Sequence, residues 1–405
     1  MNNSQQCIAY LAPEIPGLSS TFVYNEILAL ENKGYSIVPV SVHRPVAPAE
    51  DMRMLADRTF YLYSVGIVRF FLSFLSNFFT SPVNLYKSSI WLFSDIRSIG
   101  CFKRESISLV YQFIAANHLA RILKKKNCRH LHIHFAHVPA QIGMYASKIS
   151  GVPYSITSHA NDIFQRGLLL KTKAERSSCF ATISEFNKKY LISVGVPENK
   201  IKVIRCGVDF NKSNSVTKRE REEFTIGSLG RLVEKKGMST LIQAVKQLKD
   251  IGYEINLEIA GDGPLKNELE KLSSKLGLNN QVFFHGAVEH SKVSEWLQNL
   301  DAFVLACVED SNGDMDGIPV SLMEAMSHDL AVISSDLSGI PELIIHNKTG
   351  LLAMPGKPDS LARQIKKLIS DIRLREKLGE MGHEHVISEF SEDINIKRLE
   401  HCFNA

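Results

Sequence analysis

Several common signatures are missing from this sequence, and each absence excludes a class of protein. Neither GxGxxG nor GxxxxGK[ST] occurs in the second half, which argues against a standard NAD or ATP site there. A basic leader followed by a long apolar core is missing at the start, so we expect no signal peptide. The net charge of +4 is too small to indicate a nucleic-acid partner.

Cysteines are few and form no obvious pairs. There are seven of them, an odd number, and none belongs to a CxxC motif. This pattern argues for reduced thiols in a cytoplasmic protein. The seven are Cys7, Cys101, Cys128, Cys179, Cys206, Cys307 and Cys402.

What the chain does have is a regular alternation of strand and helix patterns. Its 405 residues suffice for two domains, since single cores stop growing near ~250–300 residues. Short apolar runs alternate with helical patterns in both halves, which predicts two α/β domains with parallel sheets wrapped by helices. The polar segment from Asn211 to Glu223 is predicted to link them. We expect a cleft at the carboxyl ends of the strands.

The stretch from Glu309 to Met326 is an acidic loop that turns into a helix. It follows the buried-type strand at 302–307, and Gly317 and Pro319 suit a tight turn and a first helical position. The free N–H groups of such a helix start favour an anion, here a phosphorylated ligand. An ordinary surface loop is the competing interpretation of this stretch alone.

Two basic residues flank a glycine-bounded turn in the second half. Arg231 and Lys236 lie between Gly230 and Gly237, directly after the predicted strand at 224–229. Either residue alone would be interpreted as a solvated surface charge. Together at this turn they favour binding of a diphosphate.

In the first half, polar residues follow a buried-type strand at 152–158. His159 and Asp162 come directly after it, where ligand-contacting side chains collect in α/β folds. A lone histidine is more often structural, but this position shifts the balance towards function.

Histidines at alternate positions mark another strand of the first half. His130, His132 and His134 share one face of it, which superficially resembles a metal site. No other residue in the sequence around this strand supplies a helical histidine or a carboxylate at ligand spacing. We therefore expect no metal there.

Residues 60–126 combine apolar and basic side chains. The apolar run at 67–79 is interrupted by polar residues, and it falls short of the ~20 apolar residues that a spanning helix needs. Either it forms core-facing helices, or an aromatic face rests on an anionic membrane. Residues 1–126 carry 13 Lys and Arg against 8 Asp and Glu, so this part is basic. The basic residues near the aromatic run are Arg69, Lys87, Arg97, Lys103 and Arg104.

Three motifs of the second half carry a resemblance to a known family. They are Gly230-Arg231-Leu232-Val233 with Lys236-Gly237, Gly261-Asp262-Gly263-Pro264, and the segment from Asp316 to Glu324. The chain resembles the family 4 retaining glycosyltransferases, and within them the bacterial exopolysaccharide enzymes of the colanic-acid type. The resemblance covers nearly the whole chain. It implies an α/β GT-B fold, two Rossmann-like doubly wound domains facing across a cleft.

The resemblance also implies domain limits and site residues. Residues 1–205 would be the acceptor-binding domain, joined by a C-terminal helix at 390–405, and residues 206–389 the nucleotide-sugar-binding domain. The implied catalytic residues are His159, Arg231, Lys236 and Asp316. The implied donor-binding residues are Gly17, Asp162, Gly317, Ile318, Pro319, Val320 and Glu324.

Individual roles follow from the same resemblance. Arg231 and Lys236 would bind the donor diphosphate and stabilise the departing nucleotide, and His159 would lie beside the donor sugar. Glu324 matches the second glutamate of a Glu, seven residues, Glu motif and would hold the ribose hydroxyls. Asp316 occupies the first position of that motif, and its side chain is one methylene shorter than that of glutamate. Whether it makes the family's usual contact to the donor sugar is therefore left open.

The function implied is transfer of a hexose, with retention, from a nucleotide sugar to a lipid-linked oligosaccharide. It would serve bacterial surface polysaccharide synthesis: exopolysaccharide, capsule or O-antigen. A UDP-sugar is favoured over a GDP-sugar. The expected place is the cytoplasm, at the cytoplasmic face of the inner membrane. The alternatives are a nucleotide-sugar 2-epimerase of the same fold and a catalytically silent nucleotide-sugar-binding protein.

Two metal motifs in the acidic loop are judged misleading. Asp314 and Asp316 spell the DxD metal motif of the other main transferase fold, but in a GT-B context Arg231 and Lys236 supply the positive charge. The loop also begins like an EF-hand, yet Met315 replaces its glycine and Ser321 its final glutamate. We therefore expect neither a metal nor another cofactor.

Overall fold

The computed structural model describes residues 7–17, 21–45, 50–208 and 223–404. Apart from Glu223, the predicted linker lies outside the described residues. The described chain divides into two compact units. The first is drawn from Met1–Ile183, Asn187–Arg205 and Asn395–Ala405, and the second from Ser184–Phe186 and Cys206–Ile394.

Strands and helices alternate through both units, as the sequence pattern predicts. The elements up to residue 203 are β1 (Cys7–Glu14), α1 (Thr21–Asn32), β2 (Ser36–His43), α2 (Arg53–Arg58), β3 (Phe60–Tyr61), α3 (Ile67–Thr80), α4 (Pro82–Ile99), α5 (Arg104–Lys125), β4 (His130–His134), α6 (Val138–Ser150), β5 (Tyr154–Ser158), α7 (Ala160–Phe164), α8 (Leu170–Arg176), β6 (Cys179–Thr182), α9 (Glu185–Ser193) and β7 (Ile201–Val203). The later elements are β8 (Phe224–Leu229), α10 (Met238–Asp250), β9 (Ile255–Ala260), α11 (Lys266–Lys275), β10 (Val282–Gly286), α12 (His290–Gln298), β11 (Ala302–Leu305), α13 (Val320–Met326), β12 (Ala331–Ser335), α14 (Ile340–Leu343), β13 (Leu351–Ala353), α15 (Pro358–Ser370), α16 (Ile372–Phe390) and α17 (Glu392–Phe403).

The first unit is built on a seven-stranded parallel sheet in the order β3-β2-β1-β4-β5-β6-β7. Its inner strand β1 is apolar on both faces, as expected for a strand covered by helices on each side. Ala9 and Leu11 belong to the core on one face, and Ile8 and Tyr10 to the core on the other. The last helix, α17, completes the second of these cores with Leu399 and other apolar side chains.

The second unit is a six-stranded parallel sheet in the order β10-β9-β8-β11-β12-β13. It has its own core of buried aliphatic side chains. In both sheets the strand order reverses beside the first strand, between β1 and β4 and between β8 and β11. Ligands of open α/β sheets bind outside the carboxyl ends of the strands at such switch points. The loops after β1, β4, β8 and β11 are therefore the places to look for a site.

Two expectations from the sequence need correction here. Cys179 of β6 and Cys402 of α17 form a disulfide bond, so the expectation of reduced thiols is wrong for this pair. The two residues are 223 positions apart, and only the fold brings them together. The run at 67–79 is helical, but most of its large apolar side chains are exposed rather than core-facing.

No helix within the described ranges is long and apolar enough to cross a membrane.

Candidate functional site

In the second unit, the turn after β8 and the loop after β11 are tied together by ion pairs. Lys236 Nζ lies 2.7 Å from Asp316 Oδ2, and Lys235 Nζ lies 2.9 Å from Asp314 Oδ2. The backbone N–H of Val308 also donates to the carbonyl oxygen of Lys235 at 2.9 Å. Two residues predicted from separate motifs, Lys236 and Asp316, are thus brought into direct contact at the switch point of this sheet.

Glycines allow the backbone segments around Lys236 to approach one another. Gly237 has φ of 62°, and a Cβ atom there would overlap the carbonyl oxygen of Ala306. Gly261 has φ of 141° and lies equally close to the carbonyl oxygen of Gly230. Neither place has room for a side chain, and both backbones favour glycine. The glycines of the turn and of the Gly-Asp-Gly-Pro motif therefore fix the shape of this edge.

The acidic run that precedes Asp316 is folded onto itself and onto the same turn. One carboxylate oxygen of Asp310 accepts hydrogen bonds from the backbone N–H groups of Asn312 and Asp314, at 2.8 and 2.9 Å. The hydroxyl of Ser311 donates to Glu234 at 2.8 Å. Short Asp and Asn side chains often close loops in this way. The run therefore positions the loop against residues 234–236.

The environment keeps the Lys236–Asp316 pair charged. Burial alone would raise the pKa of Asp316, but the charges of Lys236 and Lys235 outweigh it and hold that pKa below its usual value. Burial likewise opposes the charge of Lys236, and Asp316 more than compensates and raises the pKa of the lysine. The lysine therefore carries a full positive charge at neutral pH, as the binding of a diphosphate requires.

The helix after the loop presents Glu324 at the same edge. Helix α13 begins at Val320, one residue later than predicted, because Pro319 has an extended backbone and precedes the first turn. Gly317, Ile318 and Pro319 are buried, and Val320 is half-buried. The chain ahead of the helix is therefore packed.

The two remaining side chains of this edge differ in exposure. Glu324 is half-buried, and burial raises its pKa to about 7. Arg231, which follows β8, is exposed. The segments at this edge thus carry one exposed basic group and one half-buried acidic group.

In the first unit, His159 and Asp162 form a compact structure at the end of β5. Asp162 is fully buried, and its carboxylate accepts hydrogen bonds from the backbone N–H groups of His159, at 2.7 Å, and of Ala136. Burial raises the pKa of Asp162 to about 7 against the opposing effect of these bonds. Because these two hydrogen bonds engage its carboxylate, Asp162 positions the loops after β4 and β5. The structure thus favours a positioning role for Asp162 over the donor contact predicted from the sequence.

His159 is buried among aromatic rings. Its ring lies 4.7 Å from that of Phe22 and 4.6 Å from that of Phe135, centroid to centroid. Burial lowers its pKa well below the usual value, so the imidazole is neutral at physiological pH. Phe135 has φ of 72°, a backbone conformation that bulky residues rarely adopt. Such strained positions concentrate at functional sites.

A hydrogen-bonded chain leads from His159 to Glu26 on α1. His134 Nδ1 lies 3.3 Å from His159 Nε2, and His134 Nε2 lies 2.9 Å from Glu26 Oε1. The hydroxyl of Tyr10 donates to the same carboxylate oxygen at 2.7 Å. Gly17, in the loop after β1, is also buried.

Glu26, His132 and His134 could together hold a metal ion, since one ligand atom of each lies within 4.8 Å of the others. The sequence around these histidines offers no carboxylate partner, and the one that the fold brings to them, Glu26, is 108 residues from His134. In the structure, however, hydrogen bonds already engage these groups, with His132 Nδ1 2.8 Å from the Ser155 hydroxyl.

Sequence reasoning missed several participants in these two arrangements, one in each unit. Lys235 adjoins a predicted residue, so its contribution could have been inferred from its position. Glu26 offered a weaker signal, a charged residue on a helix whose neighbours Val23 and Ile27 face the core. Cys307, whose thiol donates to Asp316 at 3.6 Å, gave no signal beyond its place at the end of a strand.

Most of the chain is similar to known glycosyltransferases. Residues 209–385 match the family model described as "Glycosyl transferases group 1", and residues 92–212 match "Glycosyltransferase Family 4". The amylovoran biosynthesis glycosyltransferase AmsK of Erwinia amylovora is 36% identical over 217 residues, 52% of this chain and 53% of the relative. WcaL of Escherichia coli, named for colanic acid biosynthesis, is 34% identical over 232 residues, 56% of each chain. The chain thus spans about half the length of the curated relatives it matches.

Solved structures agree over nearly the full length. Sucrose-phosphate synthase from Thermosynechococcus elongatus has a TM-score of 0.75 at 17% identity, covering 99% of this chain and 98% of that one. Anabaena HepE in complex with UDP and glucose has a TM-score of 0.72 at 16% identity, covering 99% and 100%. These likenesses show the fold.

The two doubly wound units and these neighbours define the GT-B fold, and the fold class predicted from the sequence is confirmed. Matches to the two glycosyltransferase family models together span residues 92–385, and over this part of the chain the family resemblance predicted from the motifs is confirmed.

Proposed function

We propose that the chain transfers a hexose, with retention of configuration, from a nucleotide sugar to a lipid-linked oligosaccharide. The process it would serve is the synthesis of a bacterial surface polysaccharide. The observation that carries the proposal is the charged Lys236–Asp316 pair at the switch point of the second sheet. The turn that holds Lys236 also carries Arg231, and the loop that holds Asp316 leads into the helix of Glu324. That set of side chains suits a donor with a diphosphate and a ribose.

The chemistry of the leaving nucleotide explains the need for these side chains. As the bond to the sugar breaks, negative charge develops on the nucleotide diphosphate, and preorganised positive groups stabilise it. Lys236 and Arg231 would supply that charge without a metal, and Glu324 would accept hydrogen bonds from the ribose hydroxyls. Asp316 would keep Lys236 charged and in place. No covalent intermediate is invoked, so the two-carboxylate scheme of glycosidases is not applied.

Relatives support the class of donor and acceptor. AmsK and WcaL are named for exopolysaccharide biosynthesis, and a mycobacterial relative at 28% identity is named a phosphatidylinositol monomannoside mannosyltransferase. That relative is also named GDP-mannose-dependent, whereas HepE was solved with UDP and with UDP-glucose. Lipid-linked acceptors therefore fit the relatives, and we favour a UDP-sugar donor.

The test is a donor screen followed by product analysis. Calorimetry with UDP- and GDP-sugars should identify one nucleotide that binds, and incubation with native bacterial lipid extract should yield a glycosylated lipid with retained configuration. Replacing Lys236 or Glu324 with alanine should lower turnover by roughly 10²–10³-fold with the fold intact, because each interaction acts on the departing nucleotide.

Matched controls lie on α11, away from the turn and the loop. Lys275→Ala and Glu268→Ala remove the same chemical groups from exposed positions and should leave turnover unchanged. Near-normal turnover of Lys236→Ala would overturn the site assignment. Conversion of the donor to its 2-epimer without an acceptor would identify an epimerase, and binding without transfer or hydrolysis would identify a silent binding protein.

A further inference from the structure

Helix α3 has its apolar side turned towards solvent. Its exposed residues include Phe71, at 60% exposure, and Phe79, at 77%, whereas its buried positions include Ser73 and Asn77. The Asn77 side chain donates to the carbonyl oxygen of Asn117 at 2.9 Å. A surface helix of a globular protein normally shows the opposite arrangement, with polar residues outside. The exposed side of α3 is therefore built for an apolar surrounding.

The next two helices repeat the pattern and pack against α3 and against each other. On α4, Tyr86 and Phe93 are each 69% exposed, while Asp95 is buried and paired with Arg176 at 2.7 Å. Between α4 and α5, Phe102 is fully exposed, and Ile107 of α5 is 71% exposed. We name this surface the α3–α5 face, marked by Phe71, Phe79, Tyr86, Phe93, Phe102 and Ile107.

Positive charge surrounds this face. Within residues 60–126 the acidic residues are Asp95, which is buried, and Glu105. The exposed basic residues of the three helices and the joining loop are Arg69, Lys87, Arg97, Lys103, Arg104, Arg121 and Lys125. An apolar surface with a basic surround matches the interface of an anionic bilayer, where aromatic rings lie at headgroup level and lysine and arginine meet lipid phosphates.

We propose that the α3–α5 face lies on an anionic lipid bilayer, with its aromatic side chains inserted between the headgroups. A second copy of the chain is the poorer occupant, because facing two such surfaces would bring like charges together. The helices lie in the interface rather than span it: α3 has 14 residues, and at 1.5 Å per residue it is roughly 21 Å long, less than the ~30 Å of a hydrocarbon core. The proposal is independent of sugar transfer.

Vesicle co-sedimentation of the full chain tests it without donor or acceptor. The protein should sediment at low salt with vesicles of equal parts phosphatidylglycerol and phosphatidylcholine, and much less with phosphatidylcholine alone. The double variant Phe71→Ser and Phe79→Ser should bind at least about tenfold more weakly, since two large apolar groups no longer insert. The pair Arg69→Glu and Lys87→Glu should weaken binding to the anionic vesicles only.

Control variants come from exposed positions of the second unit. Ile251→Ser with Ile372→Ser removes side chains that are 61% and 57% exposed, and Lys271→Glu with Lys275→Glu reverses two exposed charges. Both controls should sediment as the unmodified chain does. Equal sedimentation of the aromatic variant and the unmodified chain would overturn the proposal. So would failure of the unmodified chain to bind combined with dimerisation that the aromatic variant abolishes, because a second copy would then cover the face. Neither result would alter a positive transfer assay.

Discussion

At the scale of single residues, Glu26 shows how much one buried contact can organise. Its carboxylate accepts from Tyr10 at 2.7 Å and faces His134 at 2.9 Å. Glu26→Ala would leave two buried polar groups without this acceptor. We expect it to lower the free energy of unfolding by about 1–3 kcal/mol, measured by urea denaturation.

Glu31 on the same helix provides the matched comparison. Its pair with Arg58 lies at 2.6 Å but is partly solvated, with side-chain exposures of 24% and 44%. Exposed pairs contribute little, so Glu31→Ala should cost at most about 1 kcal/mol. Equal losses for the two variants would mean that the Glu26 network contributes no more than a surface pair.

Glu324 should make stability depend on pH. Its pKa rises from 4.5 to about 7 on folding because of burial, so between these values the folded protein holds a proton that the unfolded chain has released. Its contribution is therefore most favourable below pH 4.5 and is lost progressively as the pH rises to about 7. The Glu324→Gln variant has no carboxyl group to deprotonate at this position, so it should not lose this stability.

The measurement is the melting temperature of the unmodified chain and the Gln variant over the same pH range. All other titrating groups are shared, so their effects cancel in the difference. The melting temperature of the Gln variant should rise relative to that of the unmodified chain as the pH rises from about 4.5 to 7. A constant difference would show that Glu324 titrates normally in the folded protein.

Residue-level prediction from sequence depends on local signals. Arg231 and Lys236 could be recognised because they flank a turn within a few positions of their glycines. The contact of His134 with Glu26 could not, because 108 residues separate them and the sequence gives no register between α1 and β4. For the same reason the burial of Asp162 was not foreseen.

At the scale of elements, the turn from β8 into α10 depends on Gly237. Both Gly237 and Gly252 have positive φ, at 62° and 86°, but a Cβ would overlap the Ala306 carbonyl at the first and meet nothing within 4 Å at the second. Gly252→Ala should therefore cost about 1 kcal/mol from backbone conformation alone. Gly237→Ala should cost roughly 3 kcal/mol or more, since the strand end must also move.

Urea denaturation of both variants separates the two effects, because each carries the same backbone penalty. Gly237→Ala should also weaken binding of the donor nucleotide, since the displaced turn carries Lys236. Similar stability losses for the two variants would contradict a close approach of the turn to β11.

Periodicity predicted most elements within a few residues but not the direction in which α3 and α4 face. Helical spacing of apolar residues indicates that one side of a helix is apolar. It does not show whether that side meets a core or another apolar surrounding. The buried Ser73 and Asn77 show that the polar side of α3 packs inwards, and their partners come from α5, some forty residues later.

At the scale of the whole molecule, the alternation of elements was enough to predict two parallel α/β domains. The strand order within each sheet was not predictable in the same way, because it depends on long crossovers. The place of the last helix came only from the family resemblance, which implies that it joins the first domain. Its apolar side chains belong to a core of the first unit, next to strand β1 from the start of the chain.

The disulfide between Cys179 and Cys402 offers a test of how the last helix is attached to the first unit. Purified without reductant and then denatured, the protein should show five reactive thiols, because two of its seven cysteines are joined. A bond that closes so long a loop restricts the unfolded chain, so Cys402→Ala should lower the free energy of unfolding by about 2–5 kcal/mol.

Cys179→Ala should cost a similar amount, and the double variant little more, since the second substitution removes nothing further from the bond. Cys307→Ala, at a buried free cysteine, supplies the comparison for packing alone. Seven reactive thiols, or losses that add in the double variant, would mean that α17 is held to the first unit by packing and not by a covalent bond.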